Sequence, residues 1–428
     1  MKKITQLISF LFLQLFATQT TDMNSPGNDL SPGMRTFYDD TLIDIVGPKL
    51  VHDQDAVKKP IPANNGKKIE FRGFNPLPKA LTALTEGVTP SGNSLDMFTI
   101  EATVSQYGDY ITTSDMLNLT HVDNVVVESL RLLGDQAGVT LDTITRNVLQ
   151  SGTNVMYAPK ISGDTETEVT SRAALDKTAQ LTVDLVDQVV AELEAANVPK
   201  FDDGFYHAII HPYVKYLIMK DEMWREPHKY VDTDAIYRGE IGEIGGVRFL
   251  VSSEAKIYRG ANLAGDVREL VLGANISGAV TEITYSTSGV TLAADELKDR
   301  KIMINGVVAT VVSNTASSGT HKITVASTNF GSGPSGTTKI SPGEGGKDGL
   351  AVFGCLFYGK GAYGTTEITG GGLRTIVKQL GSAGSSDPLD QRSSTGWKAT
   401  KVSEILHPDY LIRVECCSAR KSDTAEAN

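Results

Sequence analysis

His207 and His211 are the residues whose types and spacing most invite chemistry. Four positions apart, they would share one face of a helix and could hold a metal ion between two imidazoles. The surrounding segment, YHAIIHPYV, is β-like, however. On a strand the same spacing puts the two rings about 13 Å apart, at ~3.3 Å per residue. No glutamate stands nearby in an HExxH arrangement, so two structural histidines are the expectation and no metal site is assigned. The three cysteines are Cys355, Cys416 and Cys417. An odd count with an adjacent pair argues against a disulfide framework and for a reducing compartment. Cys416 and Cys417 lie in an apparent strand without a local histidine, which favours packing over nucleophilic work. Neither a GxxxxGK[ST] phosphate loop nor a GxSxG elbow occurs, and Gly370-Gly371-Gly372 and Asp202-Asp203-Gly204 both read as turns. Lys58, Lys59, Lys67 and Lys68 form a basic cluster: either a solvated strand face or a contact for acidic surfaces of a neighbouring subunit. The expectation is therefore no catalytic, cofactor-binding or metal-binding residues, and a protein that is not an enzyme.

The dominant element is a long helix. Val126, Leu130, Leu133, Ala137, Leu141, Ile144 and Val148 step by three or four. That spacing places them on one helical face, with Glu128, Arg131, Asp135, Asp142 and Arg146 mostly on the others. Asp123 or Asn124 would cap the start, and Gly152 would end it in the left-handed conformation. From Val126 to Ser151 such a helix runs about 39 Å at ~1.5 Å per residue. Gly134 and Gly138 inside it each cost ~1 kcal/mol against alanine. They are either a tolerated weak spot or the mark of a close approach or a bend. A long helix without chemistry suits a scaffold.

The remaining chain can be read in order. Met1–Ala17 has the two lysines and apolar run of a secretory signal peptide, but Leu15 stands where a small residue should precede the cut. Thr18–Met34 reads as a flexible arm, and Arg35–His52 as a short amphipathic helix stopping near Gly47–Pro48. Ile69–Gly73 and Phe98–Val104 alternate as strands do, around a Pro/Gly/Thr-rich tract, Asn75–Ser94. Two strands with a long irregular tip make an extended β-arm, which would lie on a neighbour or fold as a hairpin onto its own domain. Asn154–Ala173 reads as a polar loop, Thr178–Asn197 and Pro212–Arg225 as helices, and Phe201–Ile210 and Leu350–Gly359 as buried strands. Gly239–Ser252 reads as a turn and strand. In Ile276–Gly345, 30 of 70 residues are Ser, Thr or Gly. This composition, with the strand–Asn305-Gly306–strand hairpin signature, indicates a small β-domain with Asn329–Gly346 as a flexible exit linker. Gly381–Gly396 reads as a polar loop, Trp397–Ile405 and Tyr410–Cys416 as closing strands, and Ser418–Asn428 as a frayed tail.

The whole chain, 428 residues with net charge −11, is long enough for two or three domains and lacks a basic footprint for tight nucleic-acid binding. After the N-terminus no run of 18 apolar residues offers a membrane span.

Several ordered motifs carry a resemblance: TFYDDTLIDIVGPKLVH (Thr36–His52), LTEGVTPSGNSL (Leu84–Leu95), VSQYGDYITTSDML (Val104–Leu117), TLDTITRNVLQSGT (Thr140–Thr153) and SDPLDQRSSTGWKAT (Ser386–Thr400). Together they resemble the major capsid proteins of tailed phages related to the N-four-like capsid family. LQLFA (Leu13–Ala17) is similar to the start of many capsid proteins from phages of Gram-positive bacteria. The resemblance spans roughly Thr36–Ser252 and Leu350–Ala419, and Ile276–Gly345 looks like an insertion. It implies an α+β, HK97-like major capsid fold: leader and flexible segment over 1–35, N-arm over 36–56, E-loop over 57–112, peripheral domain with spine helix over 113–177, axial domain over 178–275, inserted all-β domain over 276–345, and the rest of the axial and peripheral domains over 346–428. It further implies a virion protein, assembled in the host cytoplasm. Copies would form hexamers and pentamers of an icosahedral head around double-stranded DNA, held non-specifically, without a membrane. Scaffold, portal and cement or decoration proteins are the implied partners, and the β-domain would project outward as decoration. Two rivals stay open: an encapsulin-like nanocompartment with a protein cargo, and a secreted surface protein with an adhesive β-domain.

Overall fold

The computed structural model describes residues 51–428 except 85, 90–91, 117–124, 164, 225–241, 266, 287–291, 317–320, 333, 337, 380–381, 383–388 and 390. The leader, most of the N-arm, the helix caps Asp123 and Asn124, and most of the 381–390 loop lie outside these residues. The first strands are β1 (Val57–Lys58), β2 (Lys68–Phe74), β3 (Met97–Thr103), β4 (Ser105–Ser114), β5 (Val155–Tyr157), β6 (Lys160–Ser162), β7 (Thr165–Thr167) and β8 (Tyr206–Ile210). Then come β9 (Glu243–Ile244), β10 (Val247–Val251), β11 (Ile257–Tyr258), β12 (Leu270–Leu272), β13 (Ser277–Ser286), β14 (Lys301–Ile304), β15 (Val307–Asn314), β16 (Lys322–Ser332) and β17 (Lys339–Pro342). The last are β18 (Val352–Tyr358), β19 (Tyr363–Thr366), β20 (Arg374–Lys378), β21 (Arg392–Ile405) and β22 (Leu411–Cys417). The main helices are α1 (Val125–Leu149), α2 (Val183–Ala195) and α3 (Pro212–Ile218). The class is α+β and mostly sheet. The chain divides into two compact units, residues 1–145 with 363–406 and residues 146–362 with 407–428.

In the first unit β1, β19, β21 and β20 form a sheet in that order, with β4 also on β21. Alternation along β21 turns its odd-numbered residues toward α1. Leu133, Ala137 and Leu141 pack there against Trp397 and Ala399. Gly134 and Gly138 are also buried. Hydrogen bonds run alongside: Ser129 to Thr395 at 3.2 Å, the Trp397 indole N–H to Gln136 at 3.2 Å, and Thr145 to Ser403 at 3.0 Å. The sheet therefore binds the helix by fixed polar pairs as well as by apolar area, which sets the helix register along β21. Ser393–Gly396, expected in a loop, belong to β21 because ladder bonds to β4 and β20 hold them. A Cβ on Gly396 would stand 2.7 Å from the Tyr110 Cβ, so only glycine lets β4 approach this closely.

Asp142 is fully buried, against the expectation that it lies on an outer face. Its reason is a partner 90 residues away: it accepts from the His52 backbone N–H at 2.8 Å and meets the His52 ring Nδ1 at 2.6 Å. β2 and β3 pair in full register from Lys68↔Thr103 to Phe74↔Met97, forming a two-stranded sheet of their own.

In the second unit the sheet order is β5-β22-β18-β8-β10-β9, with β11 also on β18. Every residue of β8 and β18 is buried. α2 begins where the Thr182 hydroxyl accepts from the Leu185 N–H at 3.3 Å, and packs Leu185, Val186, Val189 and Leu193 into this core. Arg146, expected outside, is only 2 % exposed and donates to the Glu254 carbonyl at 2.7 Å. After Leu149 the helix tightens through Ser151 N–H to Val148 O and Gly152 N–H to Leu149 O. Gly152 is not among the described glycines with positive φ. Instead, the Arg413 guanidinium donates to the Gln150 and Gly152 carbonyls, placing a cation at the helix C-terminus. The expected polar loop before Ala173 holds β5 and the β6–β7 hairpin.

Strands β12-β13-β16-β15-β14-β17 close into a barrel. Asn305 and Gly306 take φ of 50° and 78°, as a tight hairpin turn requires. The barrel starts at Leu270, and its exit is no linker: Phe330 on β16 and Ile340 on β17 are fully buried in its interior. The tail is not frayed either. The Ala351 N–H donates to Ser422 O at 2.7 Å, and the Asn428 side chain bonds Ala255 O and the Ile257 N–H at 2.9 Å each.

Candidate assembly surface

The sequence-selected residues with chemical potential find separate, local partners. His207, the second residue of β8, has Nε2 2.9 Å from Asp203 and its ring stacked on Phe201 at 4.1 Å. Arg248 donates to the same Asp203 oxygen at 3.2 Å. Burial raises the Asp203 carboxyl, but these hydrogen bonds and that of the Phe205 N–H override it and hold the group at about 2. His211 caps α3, its Nδ1 accepting from the Tyr213 N–H at 3.1 Å. Burial against Phe353 drives its imidazole down to about 4, so it stays neutral. The structure thus gives the two histidines different jobs and does not bring them onto one ligand.

All three cysteines are buried. A hydrogen bond with Cys355 and burial raise the Cys416 thiol, and burial pushes the Cys417 thiol up to about 12. Such thiols stay protonated and pack. Gly370 turns the chain at φ 80°. Lys58, Lys59, Lys67 and Lys68 are exposed; Lys68 meets Glu101 at 3.4 Å and Lys59 lies 5.8 Å over the Phe71 ring.

What distinguishes the first unit is a thin arm on a firm root. Tyr363 donates to the His52 carbonyl at 2.6 Å. Asp53 accepts from Lys401 at 2.6 Å and from the Thr145 hydroxyl at 2.9 Å. Burial lowers the Lys401 ammonium pKa and Asp53 pulls it back up. Sequence reasoning missed His52, Asp53, Asp142 and Lys401, because partners 90 to 348 residues apart leave no local pattern. Beyond the root, β2 and β3 run outward to a tip closed by Asn75 N–H to Asp96 O at 3.0 Å. There Leu77, Leu81, Leu84, Val88 and Leu95 are exposed, Leu81 at 86 %. Single exposed apolar residues are ordinary, but five in one tip make it the candidate assembly surface.

On the face of β4, β21 and β20 opposite α1, Gln106, Tyr110, Ile376, Lys378 and Lys398 line a shallow groove of about 400 Å³ floored by Gly396. Tyr110 is exposed there, as is Ile376.

No family model matches the sequence, and no curated protein does. Similar solved structures include phage capsids and a virus-like particle from Pyrococcus furiosus. The capsid asymmetric unit of cyanophage Pam1 has a TM-score of 0.51 at 10 % identity, covering 95 % of this chain and 99 % of that one. The capsid of cyanophage P-SCSP1u has a TM-score of 0.49 at 12 % identity, covering 85 % and 86 %. The capsid of Ralstonia phage GP4 has a TM-score of 0.48 at 12 % identity, covering 84 % and 86 %. The Pam1 likeness covers nearly the whole of both chains. The chain has the fold of a phage capsid protein.

Proposed function

We propose that this chain is a structural major capsid protein of a tailed phage, with an HK97-like division of labour. The observation that carries the reading is the arm: a two-stranded projection whose apolar tip finds no cover in its own unit, on a phage-capsid fold. In this reading the arm is the E-loop and lies over the adjacent subunit, α1 is the spine helix of the peripheral domain, and the seven-stranded sheet belongs to the axial domain. The heterologous contacts close into rings, and two slightly different rotations between neighbours give hexamers and pentamers. Net charge of −11 keeps packaged double-stranded DNA from being held tightly. The barrel decorates the outer surface. Scaffold, portal and cement proteins complete the partner set, and the role is structural, not catalytic.

Electron microscopy of the purified chain tests this. Closed shells, or tubes and sheets of hexamers, are expected. The L81D/L84D double variant should keep the subunit's unfolding midpoint, since both side chains are exposed, yet fail to form shells. Shells of normal number and size from that variant would remove the arm from the assembly mechanism. Shells that co-purify with one protein cargo in place of nucleic acid would move the reading to a nanocompartment.

A further inference from the structure

Where the barrel joins the seven-stranded sheet lies a pocket of about 320 Å³, lined by Arg172, Lys256, Arg259, Lys301 and Glu344 among others. Four cations thus face one lining carboxylate, in a chain whose overall balance is acidic. Their existing partners neutralise them only in part. Arg172 grips the buried Glu415 with Nε and Nη2, at 2.7 and 2.5 Å, while its plane lies 3.5 Å over the Tyr258 ring. Glu415 also accepts from Arg413 at 2.9 Å, so one carboxylate serves two guanidinium groups. Arg259 donates to the main-chain oxygens of Asp423, at 2.6 Å, and Ala425. Its Nε is buried with no partner. The carboxylates of Asp423 and Glu426 act on it only at longer range. Lys256 donates to the carboxylate oxygen of Asn428, the last residue. Burial, then the charges of Arg146 and Arg172, lower its ammonium pKa, against the opposing pull of Glu344. Lys301, the first residue of β14, is exposed at the mouth.

We propose that this pocket binds an oxyanion of two or more negative charges, a phosphate group being the chemical class it fits. Positive charges crowded into a partly desolvated site repel one another, and an anion among them relieves that repulsion at every pair. The ligand would bridge three parts of one unit: the barrel through Lys301, the sheet through Lys256, and the C-terminal segment through Arg259. The site does not depend on the shell reading, since it lies within a single subunit.

Titration of the full unassembled chain with inorganic phosphate, at constant ionic strength in sodium chloride, tests it. Saturable binding by calorimetry is expected, with a matching rise in unfolding temperature. K301Q and K256Q should each weaken it at least tenfold, and K301Q should leave phosphate-free stability nearly unchanged. K301Q alone suffices if K256Q misfolds, because Lys301 is exposed. Variant-sensitive binding of orthophosphate alone assigns a free anion; variant-sensitive binding of a duplex oligonucleotide as well assigns a nucleic-acid phosphate. A response that fails to saturate, equals that in chloride, or persists in both variants means an adventitious ion only and overturns the proposal.

Discussion

Asp142 and His52 form a fully buried pair in which each carboxylate oxygen has a donor, one from the ring and one from the backbone. Removing one partner leaves the other desolvated and unpaired. D142A should therefore cost roughly 2–4 kcal/mol in denaturant unfolding, with D142N losing less because its amide oxygen can still accept from the His52 N–H. His211 gives a pH-dependent counterpart. Its folded pKa of about 4 lies below the ordinary 6.5, so the unfolded chain binds more protons between those values. The neutral-imidazole contribution is complete above pH 6.5 and is lost as pH falls toward 4. Discounted for partial solvent access, the loss should be on the order of 1–2 kcal/mol. H211N keeps an N-cap acceptor. Its stability curve should be flatter over that interval than the parent's; parallel curves would show that His211 does not titrate as argued.

Elements differ in how much of themselves they wrote into the sequence. α1 was legible because Leu130, Leu133, Ala137 and Leu141 repeat at helical spacing, and the β14–β15 hairpin because Asn305-Gly306 encodes its own turn. The burial of Asp142 and Arg146 was not, since each depends on a group about a hundred residues away that no periodicity announces. The first half of β21 escaped for a related reason. Ser393 and Thr395 face inward as hydroxyls, satisfied by Thr113 and Ser129, so no apolar alternation marks the strand. The C-terminal segment looked like a tail because its order comes from hydrogen bonds to distant backbone. The candidate surface was half legible: the arm showed in its alternation, its buried root did not. At this scale G396V should separate β4 from β21, since the new Cβ meets both Tyr110 and the Asp109 carbonyl. A loss of about 1–3 kcal/mol is expected, with faster amide exchange confined to β4 and β21.

For the whole molecule, the barrel is the part whose removal is most informative. β12 and β17 pair directly, so Glu269 and Gly343 can be joined by a short Gly/Ser linker. The barrel is not a free appendage. Met303 is 1 % exposed, Arg268 donates to Gly349 O at 2.6 Å, and Arg300 donates to Ala261 O at 2.7 Å. Excision should leave shells in micrographs while lowering subunit stability by roughly 1–3 kcal/mol. Loss of all particles from a folded excision variant would make the barrel part of assembly. The path of the first unit also carries a message about time. Thr113 on β4 waits for Ser393, 280 residues later, before its hydroxyl and its ladder bonds are met. At roughly 5–20 residues per second, synthesis leaves a delay of about 14–56 s. Throughout it the arm and the apolar side of α1 hang on the ribosome without their sheet. A nascent chain is thus born sticky before it is born competent, and crowded polysomes making this protein should need chaperone cover for that interval.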